Sequence, residues 1–153
     1  MIKITNLEAM EAFGNAVAKH LIAGDVVLLN GDLGAGKTTL SQFIGRALGV
    51  KRTINSPTFN IIKSYKGKDL NFHHMDCYRL ENAEEDLGFD EYFEDEAVIL
   101  IEWSQFIKPY LPEQHLTINI DVDNEYERTV QLVGTGKHYI QIKEEVEHEL
   151  SVD

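Results

Sequence analysis

An α/β sandwich with a mixed, mainly parallel central sheet and a C-terminal antiparallel hairpin is the fold this 153-residue sequence predicts. Two unbroken apolar runs, Val26-Val27-Leu28-Leu29 and Ala97-Val98-Ile99-Leu100-Ile101, have the length of strands covered on both faces. Segments with apolar residues every three or four positions lie among them, as helices covering such a sheet do. Near the end, Leu116, Ile118, Ile120 and Val122 alternate with polar residues, the mark of a half-buried strand.

Ile2 to Thr5 reads as a short strand. Thr5 and Glu8 have the spacing of a capping box, so a helix is expected to start there. Leu7, Met10, Phe13, Val17 and Leu21 mark its buried face, and Gly24 ends it. After the Val26 to Leu29 strand comes a glycine-rich turn, then a helix from Lys37 to Leu48 closed by Gly49. Phe59 to Tyr65 and Leu70 to Met75 read as strands joined by a turn at Lys66-Gly67-Lys68-Asp69. Asn82 is placed to cap a short acidic helix, Ala83 to Leu87. The Leu116 to Val122 strand turns at Asp123-Asn124-Glu125 into a second, where Thr129, Gln131 and Val133 alternate with Val130 and Leu132. Tyr139, Ile142, Val146 and Leu150 fit a closing helix.

The length suits a single domain over residues 1–153, and 43% hydrophobic content is that of an ordinary globular chain. No apolar run approaches the roughly 20 residues of a membrane helix. The N-terminus lacks a signal-peptide layout, and a lone cysteine, Cys77, makes no internal disulfide, so a cytoplasmic location is expected. A net charge of −12 disfavours tight binding to a phosphate backbone, because such binding draws on clustered Lys and Arg. It favours a protein partner or a small ligand, with no DNA or membrane contact. The acidic segment from Glu84 to Asp95 reads as a solvated surface, with a partner-facing role the alternative.

Gly31-Asp32-Leu33-Gly34-Ala35-Gly36-Lys37-Thr38 matches G-x-x-x-x-G-K-[ST] in full, with a strand before it and a helix after. Glycines let backbone N–H groups converge on phosphate oxygens, and the helix N-terminus adds donors and a favourable dipole. Lys37 is suited to the β- and γ-phosphates and Thr38 to Mg²⁺, with Thr39 next along the helix. The sandwich is therefore expected to be P-loop NTPase-like, with a nucleotide and Mg²⁺ as its ligands. Phosphoryl chemistry also needs a carboxylate, usually at the end of a buried strand. Glu102 directly follows the Ala97 to Ile101 run, and Asp76 closes the Leu70 to Met75 strand. Each is also a candidate for simply capping the turn that follows. In Ser56-Pro57-Thr58 a hydroxyl is suited to sensing a γ-phosphate, although spacing alone favours an ordinary Pro-ordered turn. Trp103 has two readings, stacking on a base or packing.

The stretch FHHMDCYRLE, Phe72 to Glu81, crowds His73, His74, Asp76 and Cys77 into five positions and invites a zinc reading. Strand parity argues against it. His73 and His74 point to opposite faces, and only His74 and Asp76 share one, too few for a closed site. The segment reads better as a strand entering the nucleotide site, with Cys77 a small core residue.

GDLGAGKTTL, SPTF (Ser56 to Phe59), H-x-D-x-Y-R-L (His74, Asp76, Tyr78, Arg79, Leu80) and IEW (Ile101 to Trp103) occur in that order. Together they resemble the TsaE (YjeE) family over roughly Leu7 to Val133. That family is an ATPase group needed to make threonylcarbamoyladenosine in tRNA. The resemblance implies weak, partner-stimulated hydrolysis of ATP to ADP and phosphate. It also implies docking onto the TsaD and TsaB proteins, which transfer the threonylcarbamoyl group, with tRNA met only through that complex. Carried over by position, Lys37 and Thr38 serve phosphate and Mg²⁺, and Glu102 is the Mg²⁺-associated glutamate. Asp76 is a functionally important aspartate and a further Mg²⁺ candidate. Thr58 is the switch threonine, and Trp103 and Arg128 lie near the nucleotide. Ser104 departs from the family's frequent Pro after Glu-Trp. A small P-loop kinase is the alternative, but Arg46, Arg52, Arg79 and Arg128 are scattered and no lid-like insertion is evident. A nucleotide-binding adaptor without catalysis is the third reading.

Overall fold

The structure, a computed structural model, describes residues 1–32, 34–54, 62–78, 89–93 and 95–151. Among them, seven strands form one mixed sheet: β1 (Ile2–Ile4), β2 (Val26–Gly31), β3 (Ile62–Lys66), β4 (Asn71–Asp76), β5 (Ala97–Glu102), β6 (Leu116–Val122) and β7 (Arg128–Gly134). Their spatial order is β1-β7-β6-β2-β5-β4-β3. The four inner strands β6, β2, β5 and β4 run parallel, while β3, β7 and β1 join antiparallel at the edges. Helices α1 (Leu7–Lys19), α2 (Lys37–Ala47) and α4 (Lys137–Ser151) accompany the sheet. A five-residue helix, α3 (Phe89–Phe93), precedes β5, and a 3₁₀ segment over Ser104–Tyr110 follows it.

Period-two alternation divides the core between the two faces. Val27 and Leu29 of β2, Phe72 of β4 and Val98 and Leu100 of β5 join the residues of α1, α2 and α4. Val26, Leu28, Met75, Ile99 and Ile101 join Ile107 of the 3₁₀ segment, with Trp103 and Phe106 packed against them. Every residue of β5 is buried, and a fully buried aliphatic side chain contributes about 1.5–3 kcal/mol. That makes β5 a firm base for whatever its last residue, Glu102, does. The expected Cys77 core position is met: the side chain is fully buried.

Several boundaries differ from expectation. The N-cap of α1 is Asn6, whose Oδ1 accepts from the Ala9 N–H at 2.8 Å. Asn is a stronger cap than Thr, so the start moves one residue past the Thr5 reading. The helix stops at Lys19, and Leu21 is buried from the connecting turn instead, where Asp25 accepts the Ile22 N–H at 2.8 Å. Leu7, expected on the buried face, is 64% exposed. The hairpin forms as expected, closed at Asp123 N–H to Glu127 O, and pairs in register from Leu116↔Gly134 to Val122↔Arg128. The proposed Asn82-capped helix and the start of the Phe59 strand lie outside the described residues. No helix among the described residues is long and apolar enough to cross a membrane.

Candidate functional site

The glycine-rich connection leaves the C-terminal end of β2 and enters α2. Gly34 (φ +84°) and Gly36 (φ +108°) both hold left-handed backbone that a side-chain-bearing residue adopts only with strain. Gly36 is also the N-cap of α2, so no N-cap side chain bonds the first-turn N–H groups, and no acidic residue occupies that turn. An uncapped helix N-terminus at the end of a buried parallel strand presents free donors and a positive dipole end. Leu33 lies outside the described residues. Asp32 contributes its carbonyl, which accepts the Ala35 N–H at 3.0 Å and folds the loop.

Lys37 begins α2 and turns back over the loop. Its ammonium donates to the Gly31 carbonyl at 2.8 Å and sits 4.2 Å from the centroid of the Trp103 ring. Among the described residues Trp103 is the only non-glycine with positive φ, at 58°. Such a conformation costs about 1–3 kcal/mol and persists where the surroundings hold it. Here Phe106 stacks on the indole at 6.1 Å and Tyr78 meets it edge-on at 5.0 Å. Trp103 is therefore packed, and its packing serves to seat the lysine.

The parallel register sets Asp76 directly beside Glu102. By strand parity His74, Asp76, Leu100 and Glu102 share the face that α2 covers. The two carboxylates share a cleft of about 290 Å³ with Gly34, Gly36, Lys37, Thr38, Thr39 and Trp103. Thr38, Asp76 and Glu102 thus offer hard oxygen donors, the set that suits Mg²⁺ bound beside phosphates. Asp76 also accepts the Tyr78 N–H at 3.0 Å. Glu102 is only 3% exposed, and its Oε2 lies 2.6 Å from Nε2 of the fully buried His74.

Arg128 approaches the loop from the other side. Its Nε donates to the Ala35 carbonyl at 3.0 Å, and Nη1 to the carbonyls of Asn124 at 2.8 Å and Glu127 at 3.0 Å. The arginine ties the phosphate-type loop to the β6–β7 turn. Between them runs a cleft of about 380 Å³ walled by Ile4, Thr5, Leu7, Met10, Thr39 and Tyr126 and floored by Ala35 and Gly36. Leu7 and Tyr126, 64% and 74% exposed, flank it. A wider opening of about 870 Å³ lies beyond Lys37 and Trp103, beside Asp32 and Glu113.

The two histidines of the FHHMDCYRLE stretch go to separate partners on opposite faces. His73 meets Ser64 at 2.8 Å and Asp95 at 2.7 Å. That bond from His73 holds the Asp95 carboxyl below the usual carboxylate range. Among the described residues no three of His, Cys, Asp or Glu converge as metal ligands. The structure thus brings Gly34, Gly36, Lys37, Thr38, Thr39, Asp76, Glu102 and Trp103 together, with Gly31, Asp32, Ala35 and Arg128 on the flanks. Thr58 and Arg79 lie outside the described residues. The His74–Glu102 contact and the Leu7–Tyr126 walls were not anticipated. Nothing local in the sequence signals either: periodicity puts Leu7 with the core, and the first contact depends on how β4 pairs with β5.

Known proteins resemble this chain over most of its length. Residues 4–130 match the family described as "Threonylcarbamoyl adenosine biosynthesis protein TsaE". A tRNA threonylcarbamoyladenosine biosynthesis protein TsaE from Bacillus subtilis is 42% identical over 144 residues, covering 94% of this chain and 91% of the relative. One from Rickettsia felis is 38% identical over 136 residues, covering 87% of this chain and 79% of the relative. A crystal structure of YdiB from Bacillus subtilis superposes with a TM-score of 0.83 at 35% identity, covering 96% of this chain and 93% of that one.

Proposed function

The chain belongs to the TsaE family of threonylcarbamoyladenosine biosynthesis proteins, and we propose that within that machinery it binds ATP with Mg²⁺ and hydrolyses it to ADP and phosphate, acting on the TsaD–TsaB pair so that the pair turns over. One observation carries the reading: both strand-end carboxylates open into the cleft that holds Lys37 and the first turn of α2. A loop that only bound phosphate would need neither carboxylate.

The phosphates lie over the Gly34 to Thr39 backbone, where free N–H groups and the helix dipole favour negative charge. Lys37 releases the Gly31 carbonyl to meet the β- and γ-phosphates, and Trp103 keeps its stem in place. Thr38, Glu102 and Asp76 would hold Mg²⁺, directly or through water. When bound, the metal neutralises charge on the transferred phosphoryl group. Glu102 also orients the attacking water. Lys37 and Glu102 mark the γ end of the nucleotide and Thr39 the α end. Gly36 and Thr39 border both smaller clefts, so the base continues into the Leu7–Tyr126 cleft, whereas the wider opening lies past Lys37 at the wrong end. Arg128 keeps the loop and the base wall at a fixed separation. The net charge of −12 suits work through protein partners that make the tRNA contact themselves.

The test is ATP turnover by the purified protein with and without the TsaD–TsaB pair. We expect slow release of inorganic phosphate that the pair accelerates. A rate indifferent to the pair, or labelled phosphate moving to a second acceptor as in a kinase, refutes it.

A further inference from the structure

His74 is a buried polar residue in direct contact with Glu102 that the chemistry above leaves unused. It is fully buried on β4, stacked at 6.2 Å on Phe72, with Nε2 2.6 Å from Oε2 of Glu102. Its other ring nitrogen, Nδ1, is buried with no hydrogen-bond partner among the described residues. The neighbouring His73 shows what an ordinary strand histidine does in this fold: its two ring nitrogens meet Ser64 and Asp95. Buried polar atoms without partners are rare and mark places where the fold accepts a cost. Here the cost accompanies a single hydrogen bond among the described residues, and that bond is to the carboxylate at the end of β5.

From this geometry we infer that His74 is a positioning residue for Glu102, an inference that rests on the nucleotide reading above. With Glu102 ionised, the bond runs from Nε2–H to Oε2. A glutamate has three side-chain torsions, and a carboxylate used for water or metal is effective only within a narrow range of positions. The strand supplies the Cα position, and His74 fixes the carboxylate end. One oxygen is taken by the histidine, and Oε1 is the atom left for Mg²⁺ or for the attacking water. Outer partners of this kind tune metal-associated carboxylates without touching the substrate. A residue chosen only to fill the space beside Phe72 would be apolar.

The experiment uses three variants of the full chain: His74→Leu, His74→Gln, and His74→Leu combined with Glu102→Gln. Leucine fills similar space without a donor, while the Gln side-chain amide can donate from near the Nε2 position. We expect His74→Leu to lower kcat by about 10- to 100-fold, with KM for ATP changing by about twofold or less. His74→Gln recovers most of that loss. On the Glu102→Gln background His74→Leu adds no further loss, because a residue acting through Glu102 has nothing left to act through. Calorimetry of ADP binding gives a readout without turnover. His74→Leu reduces the gain in ADP affinity that Mg²⁺ confers and leaves Mg²⁺-free affinity unchanged. A folded His74→Leu protein with wild-type kcat and an undiminished Mg²⁺ gain overturns the inference. So does a loss that persists in full on the Glu102→Gln background, or a Gln variant as defective as the Leu variant. If the wild-type chain binds no ADP at all, it is the nucleotide reading that fails.

Discussion

Removing the Tyr126 ring separates base binding from phosphate binding. Tyr126 is 74% exposed, and its backbone is held independently, its N–H donating to Asn124 Oδ1 at 3.0 Å. Tyr126→Ala therefore leaves the turn intact, and stability moves within about 0.5 kcal/mol, as for an exposed position. On the reading proposed above, the ring becomes one wall of the base seat when nucleotide binds. Stacking of a base on an aromatic ring is worth about 1–3 kcal/mol by alanine substitution. Leu7 and Met10 remain on the cleft after the truncation. The loss is thus placed in the lower part of that range, about 1–1.5 kcal/mol, which is about a five- to twelvefold weaker Kd. Calorimetric titrations with Mg-ATP and with Mg-tripolyphosphate read the two halves of the site separately. Tripolyphosphate meets only the loop, Lys37 and the carboxylates, so its affinity is unchanged in the variant. If ATP binds the variant as tightly as the wild type, the base lies elsewhere. If tripolyphosphate weakens as much as ATP, the ring acts through the loop and the seat is misassigned.

Two further expectations follow from other parts of the molecule. Glu102→Gln keeps the shape of the side chain and removes its charge, so kcat for ATP hydrolysis is expected to fall by about 10²–10³-fold while ADP affinity stays within a few-fold. Turnover close to wild type in that variant would instead support a binding adaptor. Burial pushes the Cys77 thiol up to about 12, with the Asp76 charge adding to the shift. Below about pH 8.5 the thiol is neutral in both folded and unfolded chains. Above that, only the unfolded chain ionises, so this group's contribution to stability is lost as the pH rises toward 12. Native protein at pH 9 should therefore resist iodoacetamide and react promptly once unfolded in urea, as mass spectrometry of the alkylated protein would reveal; equal labelling of both states would contradict the burial.

The geometry of the loop leading to Lys37 and Thr38 was legible because it rests on local things, glycine backbone followed at once by a helix N-terminus. Glu102 was legible because an unbroken apolar run identifies a buried parallel strand and its last residue projects from the sheet edge. Strand parity even placed His74 with Asp76. It did not bring His74 to Glu102, because that needs β4 to pair with β5 at a particular register across 28 residues of sequence. The 3₁₀ segment was missed for a related reason: its packing depends on the left-handed backbone at Trp103, which no propensity favours for that residue. Leu7 is the most instructive error. Helical periodicity correctly assigned it to the same stripe as Met10 and Phe13, both buried. Periodicity gives the direction in which a face points but says nothing of where the surface beneath it ends, and the first turn of α1 borders the cleft beside Gly36. Leu7 and Tyr126, 119 positions apart and both exposed, line that cleft together, and on the reading proposed above they are left uncovered because the flat, apolar face of a base is to cover them.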